Sequence, residues 1–239
     1  GWQDMVNATN LSAEEQANLR KKLRETAHRE AESYAKKLGV NPPLLVTAVK
    51  PEGTVTQLPT VSSGVHYSHA PFYIRRVRIN ASDPLLKVCE ELGYDIRPEN
   101  GQTEENCRTK VISFPCSAPP GKTKNDVSAI EQLETYKAFQ KEYSDHNTSI
   151  TVHLRNNEWE EVEEWLWNNW DDVVAVSFVS LDDSFYAQMP YEEITEEEYD
   201  RRVREMVPFI PSLIAKYEKD EQLLDPGDES CENGVCPIR

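Results

Sequence analysis

An α/β fold is predicted by two features of this sequence. Segments rich in strong helix formers, with recognisable caps, alternate along the chain with the short runs LLVTAV, FYIRRVRI, KVISFP, SITVHL and VVAVSFV. Clusters of Pro, Gly, Ser and Asn separate the two kinds of segment, as turns and loops would.

Taken in order, Ser12-Ala13-Glu14-Glu15 fits a capping box, with Ser12 as N-cap and Glu15 reaching back. The helix that follows carries one narrow apolar face, Leu19, Leu23, Ala27, Ala31, Tyr34, Ala35 and Leu38, and Gly39 is a natural C-cap. After Pro42-Pro43, LLVTAV reads as a buried strand that runs into the loop KPEGTVTQLPTVSSGVH. FYIRRVRI alternates enough to be a strand. SDPLLKVCEELGY reads as a helix with Ser82 as N-cap, Pro84 in the first turn and Gly93 at the stop. KVISFP is a strand, AIEQLETYKAFQKEYS a helix, SITVHL a strand, EWEEVEEWLWNNW a helix and VVAVSFV a strand. The segment EEEYDRRVREMVPFIPSLIAKYEKDEQ is helical with a break at Pro208 and Pro211, where the missing N–H and the ring clash interrupt the ladder. From Leu224 onward apolar density collapses, and DPGDESCENG is expected to be disordered. Alternating strands and helices predict several parallel strands. Five strands are few for a closed barrel, so the chain is either an open sheet or part of a larger barrel.

Composition narrows the function. The 239 residues carry a net charge of -16, a pI near 4.8 and a mean hydropathy of -0.67. That argues against a broad nucleic-acid surface, which needs positive potential, while leaving room for a small phosphorylated ligand held locally. No apolar run approaches the roughly 20 residues that span a bilayer, so no membrane partner is expected. The opening GWQDMVNATNLSAEEQ lacks the pattern of a signal peptide. Five cysteines, an odd number, do not read as a secreted disulfide framework, and a cytoplasmic location is expected.

Several stretches could carry chemistry. KPEGTVTQL places Gly53 between Glu52 and Thr54, at what is predicted to be a strand end, where backbone N–H groups and hydroxyls can cradle phosphate oxygens. Ser62, Ser63 and Gly64 could add a second nest. On composition alone an ordinary glycine turn is the simpler reading. Arg75, Arg76 and Arg78 are most simply a solvated strand face paired with acids. His66 and His69 have a metal-ligand spacing but lack an obvious third ligand. Trp159, Trp165, Trp167 and Trp170 are expected to cover a sheet. The closing pair Cys231 and Cys236 flanks Gly234, which lets the chain bend so that two accessible thiols can close a small disulfide ring.

The run KPEGTVTQLPTVSSGVHYSHAPFYIRRVRI, then HNTSITV, VVAVSFVSLDDSFYAQMPYEEIT and the closing CENGVCPIR resemble, in this order, the late part of adenosylcobalamin-dependent ribonucleotide reductases of the monomeric ribonucleoside-triphosphate type. The resemblance implies the C-terminal part of a ten-stranded α/β barrel over residues 1–222 and a flexible redox tail over 223–239. It further implies that Glu52, Gly53, Thr54, Val55 and Thr56 bind the substrate phosphates. Cys231 and Cys236 would be a shuttle dithiol that reduces a barrel disulfide and is re-reduced by thioredoxin. Adenosylcobalamin, the thiyl-forming cysteine and the reducible barrel pair would belong to the N-terminal portion of such an enzyme. Cys89, Cys107 and Cys116 match none of those roles and read as structural or incidental thiols. The implied partners are a ribonucleoside triphosphate, thioredoxin and a complementary N-terminal reductase chain, without which the chain is expected to be inactive. Two other readings use the tail alone: a non-catalytic subunit with a thioredoxin-reactive handle, and half of a zinc site shared between chains.

Overall fold

The computed structural model describes residues 1–182 and 186–218. Its elements are α1 (Trp2–Thr9), α2 (Ala13–Leu38), β1 (Phe72–Asn80), α3 (Pro84–Glu91), β2 (Ile96–Pro98), β3 (Thr109–Ser117) and α4 (Ala129–Glu142). These are followed by β4 (Thr151–Leu154), α5 (Trp159–Asn168), β5 (Ser177–Ser180), β6 (Tyr191–Glu193), α6 (Glu196–Glu205) and α7 (Ile214–Tyr217). Two compact units result among the described residues, one from Gly1–Arg75 with Pro115–Asp200, the other from Arg76–Phe114 with residues 201–218. No helix among the described residues is long and apolar enough to cross a membrane.

The first unit is organised by α4. Its Leu133, Tyr136 and Phe139 are buried against Val152 and Leu154 of β4 and Val162 and Trp165 of α5. Ser128 caps α4 by accepting from the Glu131 N–H at 3.1 Å. β4 and β5 pair in parallel with Val152 opposite Phe178, and β1 pairs antiparallel with β6 through Ile74 and Glu192.

The capping box of α2 is present, with Ser12 N donating to Glu15 Oε2 at 2.9 Å and Gly39 at φ +68°. The expected apolar face does little to seat this helix, because Leu23, Tyr34 and Leu38 are exposed. Polar anchors do it instead. Arg20 is buried, pairs with Glu142 at 2.6 Å and lies over the rings of Trp2 and Phe139. Arg24 and His28 both reach Asp145.

Two expected strands are corrected. LLVTAV forms only an isolated bridge, Val49 with Thr148, and Leu44 is fully exposed. The N–H groups of Val46 and Thr47 are taken by the Asp145 carboxylate at 2.9 and 3.1 Å, which leaves them nothing to give a ladder. In VVAVSFV the strand begins only at Ser177, since the N–H of Val174 is donated to the Tyr136 hydroxyl at 2.8 Å. Of the four tryptophans on and after α5, Trp165 enters the core and Trp159 lies against Phe178 of β5, its ring 5.6 Å away. Trp167, some 200° further round the helix, is 84% exposed, and Trp170 is also exposed.

In the second unit β2 and β3 pair antiparallel, Ile96 opposite Ile112. The connection from Glu99 to Arg108 is too short for the crossover a parallel pair needs. Leu86 and Cys89 of α3 pack on Ile112. The N-cap of α3 is Asp83, accepting from the Leu85 N–H at 2.8 Å, not the expected Ser82, which bonds to Asn80. The break at Pro208 and Pro211 occurs as expected: α6 stops at Glu205, and Pro211 opens a 3-10 turn leading into α7, where Lys216 and Tyr217 reach Glu91. The fold is α/β, but among the described residues only β4 and β5 pair as parallel strands, rather than the several expected.

Candidate functional site

A cavity of about 510 Å³ opens within the first unit. The strands supply its walls through their two-residue alternation. Val152 and Leu154 of β4 point into the core, so Thr151 and His153 point into the cavity. Ile74 of β1 is buried, and its neighbours Tyr73 and Arg75 line the cavity.

The loop from Pro51 to Gly64 forms one side. Glu52 takes a left-handed conformation at φ +53°, and a 3-10 turn follows over Val55–Gln57. Of the five loop residues singled out in the sequence, Gly53 lines the cavity, while Glu52, Thr54, Val55 and Thr56 do not. Thr56 is buried and donates both its N–H and its hydroxyl to the Glu52 carbonyl, at 3.0 and 2.8 Å. The backbone N–H groups of Gly53, Thr54 and Val55 engage no hydrogen bond among the described residues. Ser62 and Ser63, the second suggested nest, line the cavity as well. Ser62 is 92% buried, and its hydroxyl has no partner among the described residues.

Three contacts fix this loop. Asp4 accepts from the Ser62 N–H at 2.6 Å. His66 bridges to β4, accepting at Nε2 from the Thr151 N–H and donating from Nδ1 to the Ser63 carbonyl, both at 2.9 Å. That pattern requires a neutral ring with its proton on Nδ1, and burial pushes its pKa down accordingly. Both nitrogens being engaged, His66 is a brace here rather than a metal ligand. Gly64 completes the turn at φ +52°, where an added Cβ would sit 2.8 Å from the Lys50 carbonyl oxygen. Gly64→Ala is therefore expected to lower stability by about 1–3 kcal/mol, and an unchanged urea midpoint would contradict that.

The remaining wall is basic and aromatic. Arg75 stacks over the Tyr191 ring at 4.4 Å and donates to the Pro190 carbonyl at 3.2 Å, with its Nε buried and unpartnered among the described residues. Of the other two arginines in that run, Arg78 pairs with Glu99 at 2.8 Å, as a surface cluster would. His69 stacks on Tyr191 at 5.4 Å. Burial, together with the nearby Lys124 and His153, pushes His69 down to about 3. Burial likewise pushes His153 down to about 4, and that of Lys124 below the usual lysine range. None of the described lining residues is Asp or Glu, although 42 of the 239 residues are acidic. Against the acidic charge of the whole chain, the described lining of this cavity is basic and neutral.

No family model matches the chain. Curated relatives do. It is 32% identical over 213 residues to the adenosylcobalamin-dependent ribonucleoside-triphosphate reductase of Lactobacillus acidophilus, covering 87% of this chain and 28% of the relative. The proteins of that name from Levilactobacillus brevis and Lactobacillus leichmannii are each 31% identical, over 218 and 214 residues, with the same coverage. The crystal structure of a B12-dependent (class II) ribonucleotide reductase superposes with a TM-score of 0.73 at 27% identity, over 88% of this chain and 29% of that one. In sequence and in fold, the chain matches the C-terminal portion of an adenosylcobalamin-dependent ribonucleoside-triphosphate reductase. It spans just over a quarter of the length of those reductases.

Cys231 and Cys236 lie outside the described residues. Of the other thiols, Cys89 is in the second unit's core, Cys107 donates to the Thr109 carbonyl at 3.2 Å, and burial pushes the Cys116 thiol up, away from the thiolate form. His69, Arg75, Lys124, His153 and Tyr191 were not readable as parts of one cavity. They come from separate stretches, and only the folded chain collects them.

Proposed function

We propose that this chain is the substrate-phosphate and reductant-delivery portion of a ribonucleoside-triphosphate reductase and does not turn over alone. The observation that carries the reading is the cavity at the KPEGT loop, in which, among the described residues, no acid lines the wall and the Gly53 N–H and the Ser62 hydroxyl have no partner, in a chain related to these reductases over 87% of its length. Glu52, Gly53, Thr54, Val55 and Thr56 form the phosphate loop, Gly53 through its backbone and Thr56 by holding the turn closed through Glu52. Cys231 and Cys236 deliver electrons by thiol–disulfide exchange and are recharged by thioredoxin. Adenosylcobalamin, which supplies the radical when bound, is assigned to the portion of the reductase outside this chain, because the cavity's free donors suit a phosphate chain rather than a corrin. In the same reading the two-stranded parallel sheet of β4 and β5 is a fragment of a ten-stranded barrel. A parallel sheet with an open edge calls for further strands and covering helices, and a complementary N-terminal chain would bring them.

The chain mixed with a ribonucleoside triphosphate, adenosylcobalamin and a dithiol is expected to form no deoxyribonucleotide. Adding the complementary N-terminal reductase portion is expected to restore reduction, with loss of that activity in Ser62→Ala when the triphosphate is limiting. Turnover by the chain alone would overturn the assignment of the radical machinery elsewhere. A mixture that reduces nucleotides equally well with Ser62→Ala would overturn the phosphate reading.

A further inference from the structure

We propose that His69, His153 and Lys124 form a second anion subsite of the cavity, which selects a triphosphate over a diphosphate and takes up protons as it fills. This rests on the phosphate reading above and extends it from the loop to a different chemistry in the same cavity, a set of basic nitrogens in place of N–H and hydroxyl donors.

The three side chains come from separate elements. His69 lies just before β1, Lys124 opens the 3-10 turn Lys124–Asp126, and His153 is on β4. The backbone sets two of them side by side, because Ser68 and Thr123 form a parallel bridge and the Lys124 N–H donates to the Ser68 carbonyl at 2.9 Å. All three line the cavity. Neither His69 nor Lys124 makes a side-chain hydrogen bond or ion pair among the described residues, and the His153 ring bonds only to the Thr151 backbone. Buried basic nitrogens with few partners are costly, and a cluster of them in a wall that holds no acid among the described residues is satisfied by an anionic ligand. A loop with a few neutral donors can hold one phosphate. A longer polyphosphate brings further charge, and the cavity's 510 Å³ falls within the range that holds a small-molecule ligand.

The other charged and titratable groups facing the cluster are engaged elsewhere, Tyr67 by donating to Glu131 at 3.1 Å. Arg75 is committed to Tyr191 and the Pro190 carbonyl, His66 to Ser63 and Thr151, and Asp4 to Ser62 and Ser68. Glu193 acts on Lys124 electrostatically while accepting from Asn125 at 3.2 Å. Tyr73 is pushed up to about 12 by burial and stays neutral. Burial and the neighbouring basic groups favour the uncharged form of both imidazoles near neutral pH. A polyanion reverses the sign of the local field and favours their protonated forms. Phosphate groups entering a cationic site lose protons, so net uptake can come only from the protein.

Titrating the full 239-residue chain with inorganic tripolyphosphate and with pyrophosphate, in two buffers of different ionisation enthalpy at pH 7, tests this. Tripolyphosphate is expected to bind roughly tenfold more tightly than pyrophosphate and to take up more protons than it does with His69→Gln/His153→Gln. Lys124→Gln is expected to erase the preference. Should a variant fail to fold, the ring proton signals of His69 and His153 in the native chain give the same answer, moving toward the imidazolium position as tripolyphosphate is added. Equal affinity for the two anions with unmoved histidine signals overturns the second subsite but leaves the loop standing. Absence of any binding, or binding insensitive to Ser62→Ala, overturns the loop reading itself.

Discussion

Replacing Asp145 with alanine is expected to destabilise the first unit by about 3–5 kcal/mol, the cost of breaking a buried, multiply bonded ion pair from one side. Its side chain is 4% exposed and serves partners from two distant stretches. It accepts from the N–H groups of Val46 and Thr47, and it pairs with Arg24 and with His28 at 2.7 Å. Alanine would leave two backbone donors without an acceptor and cut α2 from the segment leading into the KPEGT loop. Asparagine should retain part of the backbone bonding and fall between the two. Urea unfolding of the three proteins checks this order, and an alanine variant within 1 kcal/mol of the parent, about the level of a surface change, would show that the hub is dispensable.

The pH dependence has a definite sign. Burial alone would raise the Asp145 pKa, but the bonds from Val46, Thr47, Arg24 and His28 outweigh it and hold the carboxyl well below the usual range. A carboxylate depressed on folding stabilises the native state fully above its unfolded value, about 3.9, and loses that contribution as the pH falls through and below it. The parent's urea midpoint should therefore drop more steeply below about pH 4 than that of Asp145→Asn.

That hub also explains what could and could not be read from the sequence. Signals that act within a few residues were legible: the Ser12–Glu15 box, Gly39 at the end of α2, and the breaks at Pro208 and Pro211. LLVTAV looked like a strand because its composition is that of one, but its donors are claimed by a residue 98 or 99 positions away. β6 is three residues long and has no room for a pattern. Within the site, the sequence pointed to the loop and to Ser62, where glycine and hydroxyls announce backbone chemistry. It pointed to His66 for the wrong reason, since a spacing cannot reveal that Thr151 waits on the other side of the ring. Lys124 and His153 carried no local signal. They gain meaning from a cavity whose described lining holds no acid, which is a property of the folded chain and not of either segment.

The other large effect belongs to the tail. In a reductase completed by its N-terminal portion, Cys231→Ser and Cys236→Ser are each expected to lower thioredoxin-driven turnover by roughly a hundredfold or more, the advantage a tethered group holds over one that must arrive by diffusion. The proposed exchange accounts for all the electrons. One tail thiolate attacks the barrel disulfide and forms a mixed disulfide, expelling a barrel thiolate. The second tail thiol then attacks the tail sulfur of that bond, leaving the barrel as a dithiol and the tail as a disulfide for thioredoxin to reduce. A single serine removes either the attack or the resolution, so the two variants should fail alike. Neither step is needed for an enzyme that starts with its barrel pair reduced. Each variant, pre-reduced and freed of reductant, should therefore still convert about one nucleotide per site before stopping, and that residual turnover separates a delivery role from a catalytic one. Full thioredoxin-driven rates in both variants would remove the dithiol from the mechanism. A lost first turnover would place the pair in the chemistry itself.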